Sequence, residues 1–242
     1  MLRQVVFAIL ISISFAFLST RAAAQNFEIG LTVGATSYDG DIGLTTKSVG
    51  KSLRPAIGLV GKYRLSNSLL LRGHVITGKL AGSEKNHPDA WRQIRGFAFE
   101  SKMTELALVL EWEFFTKGRF AAFAFGGVGG TYFNPKTDYN EPNPYILQDI
   151  NVDSKANYKK ITPSIPMGLG VKYAFNNNFN LSLEAGYRKV FTDYLDGISK
   201  LANPNRKDIY LITSLTLTKE FGGGKRAANR LFKQGDSGCP KF

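Results

Sequence analysis

The sequence predicts an all-β chain: an eight-stranded antiparallel transmembrane β-barrel with short periplasmic turns, long extracellular loops and a basic C-terminal periplasmic tail. Three observations predict it. An export leader opens the chain, alternating stretches of membrane-crossing length fill its middle, and short and long connections take strict turns between them. Composition agrees: with 43% hydrophobic and 21% charged residues, the chain is neither a disordered tail nor a helical membrane bundle. Gly 25 beside 12% aromatics is a combination that weakens helices and favours strands.

The leader is residues 1–24. Arg3 supplies the positive start, residues 5–18 are an apolar run, and Ala22, Ala23 and Ala24 place small residues before Gln25. The run is shorter than the roughly 20 residues a spanning helix needs, so a cleaved signal is expected rather than an anchor. The barrel then takes 25–221 and the tail 222–242. Arg3 and Arg21 are the leader's charged residues, so cleavage takes the formal charge from +12 to +10. Export argues against nucleic acid as the partner of that charge and for anionic lipid head groups or an acidic protein.

Strands are expected near 27–38, 54–65, 69–81, 101–115, 119–133, 163–175, 179–191 and 207–221, each near or above the roughly 10 residues of a tilted membrane-crossing strand. One flank of each is apolar: Leu69, Leu71 and Val75 on the third; Leu106, Leu108, Leu110, Trp112 and Phe114 on the fourth; Met167, Leu169, Val171 and Tyr173 on the sixth; Leu181, Leu183, Ala185 and Tyr187 on the seventh; Leu211, Thr213, Leu215 and Leu217 on the eighth. The other flank is small or charged, with Lys62, Arg64, Arg72, His74, Glu105, Glu111, Glu113, Lys172, Glu184 and Arg188. Alternation alone fits a soluble sandwich as well as a barrel.

The connections decide. Ser66-Asn67-Ser68, Thr116-Lys117-Gly118 and Asn176-Asn177-Asn178 are tight hairpin turns, whereas 39–53, 82–100, 134–162 and 192–206 are long. Their alternation puts all short turns at one end, as in outer-membrane barrels, and a sandwich has no reason to sort loops this way. Aromatics are expected to form two girdles at head-group depth: Phe27, Tyr63, Phe115, Phe120, Phe175 and Phe221 on the short-turn side, and Tyr38, Phe99, Tyr132, Phe133, Phe191 and Tyr210 on the long-loop side.

Eight strands leave a narrow lumen that side chains fill. Gly58, Gly73, Gly126, Gly168, Gly170 and Gly186 are placed on the inward face, and Arg72, Arg188 and Lys172 are expected to pair there with Glu111, Glu113 and Glu184. The expectation is a plugged, charge-laced interior with a structural role.

Several segments resemble a known family. They are Tyr38-Asp39-Gly40-Asp41, Phe133-Asn134-Pro135-Lys136, the run Pro166 to Tyr173, the run Glu184 to Asp196, which is the most specific, and the closing Cys239-Pro240-Lys241-Phe242. Together they resemble the PorG family of Bacteroidetes outer-membrane barrels, also called DUF6089, across essentially the whole mature chain. The resemblance implies a component of the type IX secretion system, located in the cell outer membrane and bound to a periplasmic ring of a lipoprotein and its partner, PorK and PorN. A paralogue with another role, a generic small barrel for envelope integrity or adhesion, is the alternative.

After Phe221, Gly222-Gly223-Gly224 reads as a hinge. The tail beyond carries Lys225, Arg226, Arg230, Lys233 and Lys241 against Asp236, a net +4. It is either a soluble disordered tail or a docking arm, with Leu231 and Phe232 filling a groove and the charges steering toward an acidic ring surface. Cys239 has no partner within the chain and is expected to form an intermolecular disulfide with the ring lipoprotein or to remain a free thiol.

Catalytic signals are weak. Gly126-Gly127-Val128-Gly129-Gly130 lacks the spacing and the Lys-Ser/Thr of a phosphate loop. Asp39 and Asp41 suit a turn better than a cation site. His74 faces the lumen while His87 lies in a loop near Ser83 and Asp89, so a hydrolase would lack a base beside its nucleophile. One Cys rules out a cysteine zinc site, and two His leave little room for a multi-histidine centre. The expectation is a non-enzyme without metal or cofactor.

Overall fold

The computed structural model describes residues 27–39, 52–84, 98–138, 159–175, 178–192, 194–197 and 208–221. Eight strands make up nearly all of them: β1 (Phe27–Asp39), β2 (Arg54–Arg64), β3 (Leu69–Ser83), β4 (Ala98–Lys117), β5 (Phe120–Asp138), β6 (Ile161–Ala174), β7 (Phe179–Val190) and β8 (Ile209–Phe221). Each pairs antiparallel with its sequence neighbours, and β1 meets β8 from Phe27↔Phe221 to Asp39↔Ile209, closing the barrel. Closure leaves no strand edge, a condition for crossing hydrocarbon, although the β5–β6 ladder lapses between Gly126↔Met167 and Gly129↔Ser164. The leader, 1–24, and the tail, 222–242, lie outside the described residues.

Side-chain parity follows the alternation. Leu31, Leu59, Leu106, Leu108, Leu110, Leu169, Leu183 and Leu217 all stand exposed on the outside, Leu106 by 64%. A continuous apolar band of this extent needs lipid around it, and the protein is an outer-membrane barrel. The tight turns share one end. Gly118 and Asn178 adopt φ of 59° and 61° there, the left-handed region that glycine and asparagine tolerate best. Leu65 N–H donates to Leu69 O at 2.9 Å and Phe175 N–H to Phe179 O at 2.7 Å. That end faces the periplasm by the barrel rule for short turns.

Three expectations change. The β4–β5 hairpin runs further than the expected 101–115 and 119–133, pairing as far as Ala98↔Asp138. The polar Glu100, Lys102 and Lys136 have the character of loop residues, but Phe99, Ser101, Met103 and Phe133 between them are buried and hold the ladder. Gly73 and Gly126 face outward, not inward. Their register partners include Leu108 and Leu110, and a Cβ at either would meet nothing within 4 Å. Gly127 takes the inward position instead, tight against Val109.

The third change is the outer aromatic girdle. Tyr132 and Phe191 are exposed as expected, but Tyr38, Phe99, Phe133 and Tyr210 are buried in the lumen. Parity explains it: Tyr38 lies an even number of residues from the inward Thr32 and Thr36, and Tyr210 from Ser214 and Thr216. On the periplasmic side Phe27, Tyr63, Phe115, Phe120, Phe175 and Phe221 all remain exposed. A β-bulge between Glu113 and Phe115 turns both Phe114 and Phe115 outward at that rim.

Candidate functional site

The inward faces of β2, β3, β4, β6 and β7 converge on a buried ionic network in the periplasmic half. Glu111, fully buried, sits at its centre. Lys62 Nζ lies 2.8 Å from its carboxylate, Lys172 Nζ 3.2 Å and Arg72 Nη1 3.5 Å. Arg72 continues to Glu184 at 2.5 Å, Lys172 bonds Glu113, and Arg64 meets Glu113 at 3.1 Å and Glu28 at 3.8 Å. Higher up, Arg188 Nε lies 3.5 Å from Glu105, which also takes a 2.6 Å bond from the Tyr210 hydroxyl and contacts His74 Nε2 at 2.8 Å.

The network is close to balanced. Among the described residues five cations (Lys62, Arg64, Arg72, Lys172, Arg188) meet five buried carboxylates (Glu28, Glu105, Glu111, Glu113, Glu184), and Glu220 adds a sixth acid that attracts Arg64 at the periplasmic rim. Balance matters because an unpaired ion in a dry lumen costs several kcal/mol by typical estimates. Two rings cushion the cations. Phe123 lies under Lys62 and Lys172 with centroid distances of 5.6 and 5.9 Å, and Phe125 under Arg72 and Arg188 at 4.4 and 5.9 Å. Among the described residues Nε and Nη2 of Arg72 and Nη2 of Arg188 have no hydrogen-bond partner, and the ring contact adds to the carboxylate contacts of both guanidiniums.

The inward glycines make room for those rings. A Cβ on Gly168 or Gly186 would fall 2.7 or 2.6 Å from the Phe125 ring, and one on Gly170 would strike Phe123. The charged half is therefore a close packing of rings, glycines and ion pairs.

The extracellular half is different. Tyr38, Ile76, Leu80, Phe99, Met103, Phe133, Val190, Leu195, Tyr210 and Ile212 form one buried apolar cluster. Leu195 belongs to the connection after β7, so that connection dips into the barrel mouth. It is held there by Asp208, which accepts the Leu195 N–H at 3.0 Å, and by the Tyr38 hydroxyl, which stands 2.9 Å from Asp196 and 2.5 Å from Asp208.

Of the expected lumen residues, the structure brings Arg72, Glu111, Glu113, Lys172 and Glu184 together, and places Arg188 in contact with Glu105, with a longer-range attraction to Glu184. The sequence places Lys62, Arg64 and Glu105 on the polar flank without assigning them to the network, and gives Glu28, Asp196 and Asp208 no place in it. The signal for Glu28 was its parity with Thr32 and Thr36. For Asp196 and Asp208, in connections, there was none. Lys225, Arg226, Arg230, Leu231, Phe232, Lys233 and Cys239 lie outside the described residues, as do Asp41, His87, Asp89 and the side chain of Asp39. Among the described residues no group of three or more His, Cys, Asp or Glu could hold a metal ion.

Against known proteins, the model of the family described as a domain of unknown function, DUF6089, matches residues 4–227. No curated protein matches the sequence. Among solved structures the chain is similar to Neisserial surface protein A, with 11% identity and a TM-score of 0.45 over 81% of this chain and 97% of that one. It is similar to a major outer membrane protein of Thermus thermophilus, with 13% identity and a TM-score of 0.45 over 81% and 99%. The outer membrane protein OprG of Pseudomonas aeruginosa gives 11%, a TM-score of 0.44, and 83% and 97%.

Proposed function

The chain belongs to the DUF6089 family, and from that premise we propose that it is a non-conducting, non-catalytic outer-membrane anchor of the PorG kind, holding periplasmic ring subunits of a type IX secretion system. The observation that carries the first half is the filled lumen. Ion pairs, two phenyl rings and inward glycines pack the periplasmic half and an apolar cluster packs the other, which supports a plugged barrel over a pore. A barrel that transports nothing acts through what it holds at its two ends. The inward acids and His74 are bonded to other lumen groups, which favours a structural role for them over general acid–base work.

The second half rests on the resemblance of segments such as Glu184 to Asp196. In this reading the basic tail, with Leu231 and Phe232, docks on the ring and Cys239 bonds covalently to the PorK-like lipoprotein. Envelope fractions carrying the full chain or a chain lacking 222–242 test it. The truncated barrel should still insert, shown by heat-modifiable migration, and should no longer co-purify ring subunits. On non-reducing gels the wild type should show a reducible higher band that Cys239→Ser lacks. Unchanged co-purification by the truncated chain overturns the anchoring role and leaves the generic barrel for envelope integrity or adhesion.

A further inference from the structure

We infer that one flank of the barrel's extracellular rim binds the phosphorylated head group of the outer leaflet's glycolipid. The outward residues of β3 and β4 climb from Val75 and Leu106, in the apolar band, through a Thr77–Thr104 hydroxyl pair at 3.2 Å, to Lys79 and Lys102. Two residues along a strand is about 7 Å, so the ammonium groups stand at head-group depth just above the hydrocarbon.

The cations form a row across strands. Lys79 and Lys102 are register partners, and like charges directly opposite repel unless an anion lies between them. Lys102 is opposite Asn134, whose Oδ1 accepts a 2.8 Å bond from Lys160. Lys136 is opposite Glu100, on the same face and diagonal to Lys102. Among the described side chains Glu100 is the acid of the row; Lys79 holds it at 2.8 Å and Arg54 at 3.9 Å, and Lys102 attracts it from further away. Among the described residues no carboxylate bonds Lys102 or Lys136. Among the described side chains the row thus holds five cations (Arg54, Lys79, Lys102, Lys136 and Lys160) against one acid. The same end of β7 and β8 presents Lys189 beside Ile209 and Leu211, a far weaker charge.

The place of the row selects its partner. It opens sideways, directly over Val75, Leu106 and Leu108, so a molecule that reaches it from the membrane can lay its acyl chains on the band and its phosphates among the lysines. A soluble acidic protein would meet only the upper edge. Lysines meet phosphate as point charges, tolerant of head-group orientation.

The full-length barrel, refolded in zwitterionic detergent, would be titrated with bisphosphorylated lipid A and with the same lipid dephosphorylated, binding being read by native mass spectrometry. The wild type should prefer the phosphorylated lipid by at least about a hundredfold. Replacing Lys79, Lys102 and Lys136 with Gln should weaken its binding by about a hundredfold, at about fivefold per lysine near a charged surface, and leave the dephosphorylated lipid unaffected. Lys117→Gln with Lys219→Gln, at the periplasmic rim, should change neither. All variants should retain heat-modifiable migration; were the triple variant misfolded, Lys102→Gln alone should give the fivefold loss. Equal wild-type binding of both lipids, full retention by the lysine variants, or an equal loss in the periplasmic-rim control would each overturn the inference.

Discussion

Two stretches of the same lumen, a few residues apart along each strand, are filled by opposite chemistries. On the periplasmic side of Glu105 the interior is ion pairs resting on Phe123 and Phe125; on the other side it is Leu80, Phe99, Met103, Phe133, Val190, Leu195 and Ile212. Both halves are packed with buried side chains. They differ in how they fail. An apolar cluster loses energy in proportion to the atoms removed and the hole left behind. A buried ionic network tolerates its charges only while they balance, so removing one member strands several others.

Glu111→Gln should therefore be the most damaging single change. It leaves Lys62, Lys172 and Arg72 sharing what remains of the acids, and should lower stability by about 4 kcal/mol in urea titrations of the barrel in vesicles. Lys62→Met in the same background should recover part of the loss, because it removes one of the stranded cations. A loss under about 1 kcal/mol for Glu111→Gln would mean that water enters this half, and the contrast between the two would fall.

Leu80→Ala tests the other side. Leu80 is fully buried in the apolar cluster, and truncating it should cost about 3 kcal/mol with no second substitution able to offset it by charge. Gly170→Ala follows. Its new methyl strikes the Phe123 ring, which lies against Lys62 and Lys172, so the ring must move off its cations. A cost of about 2 kcal/mol is expected by the same titration, while Gly73→Ala and Gly126→Ala, which point into open space, should be close to neutral. Equal effects at inward and outward glycines would remove the packing argument.

Much of this is legible in the residues, because a period of two, once anchored on one strand, fixes which flank of every strand faces inward. Lys62, Arg72, Glu105, Glu111, Glu113, Lys172, Glu184 and Arg188 stand on the expected flank for that reason. The misplacements arise where residue type overrides parity. Gly73 and Gly126 suit a lumen by type because lumens are crowded, although each sits one residue from an inward Arg72 or Phe125. Tyr38, Phe99, Phe133 and Tyr210 suit a girdle by type because girdles are aromatic, although each shares parity with inward neighbours. Pairing within the lumen is harder to read. Arg188 meets Glu105 across the barrel, and that choice depends on the stagger of the ladders, which period alone does not determine. Leu195 and Asp196 carry no periodic signal at all, since a connection folded into a barrel mouth has no strand alternation to reveal it.

The smallest predicted effect probes the joint between that connection and the barrel. The Tyr38 hydroxyl lies between Asp196 and Asp208, and Asp208 in turn holds the Leu195 amide at 3.0 Å. Tyr38→Phe keeps the ring, which packs edge-on against Phe99 with centroids 4.8 Å apart, and removes only the hydroxyl. Global stability should fall by about 1 kcal/mol, the ordinary value of one buried hydrogen bond. The local effect should be easier to see: with the hydroxyl gone the two carboxylates lose a donor they share, and exchange of the Leu195 amide should speed up by about tenfold. The amide of Val109, in the periplasmic half, should keep its rate. Were Leu195 and Val109 to speed up together, the two halves would open as one unit, and the apolar mouth would be part of the same cooperative structure as the ions beneath it.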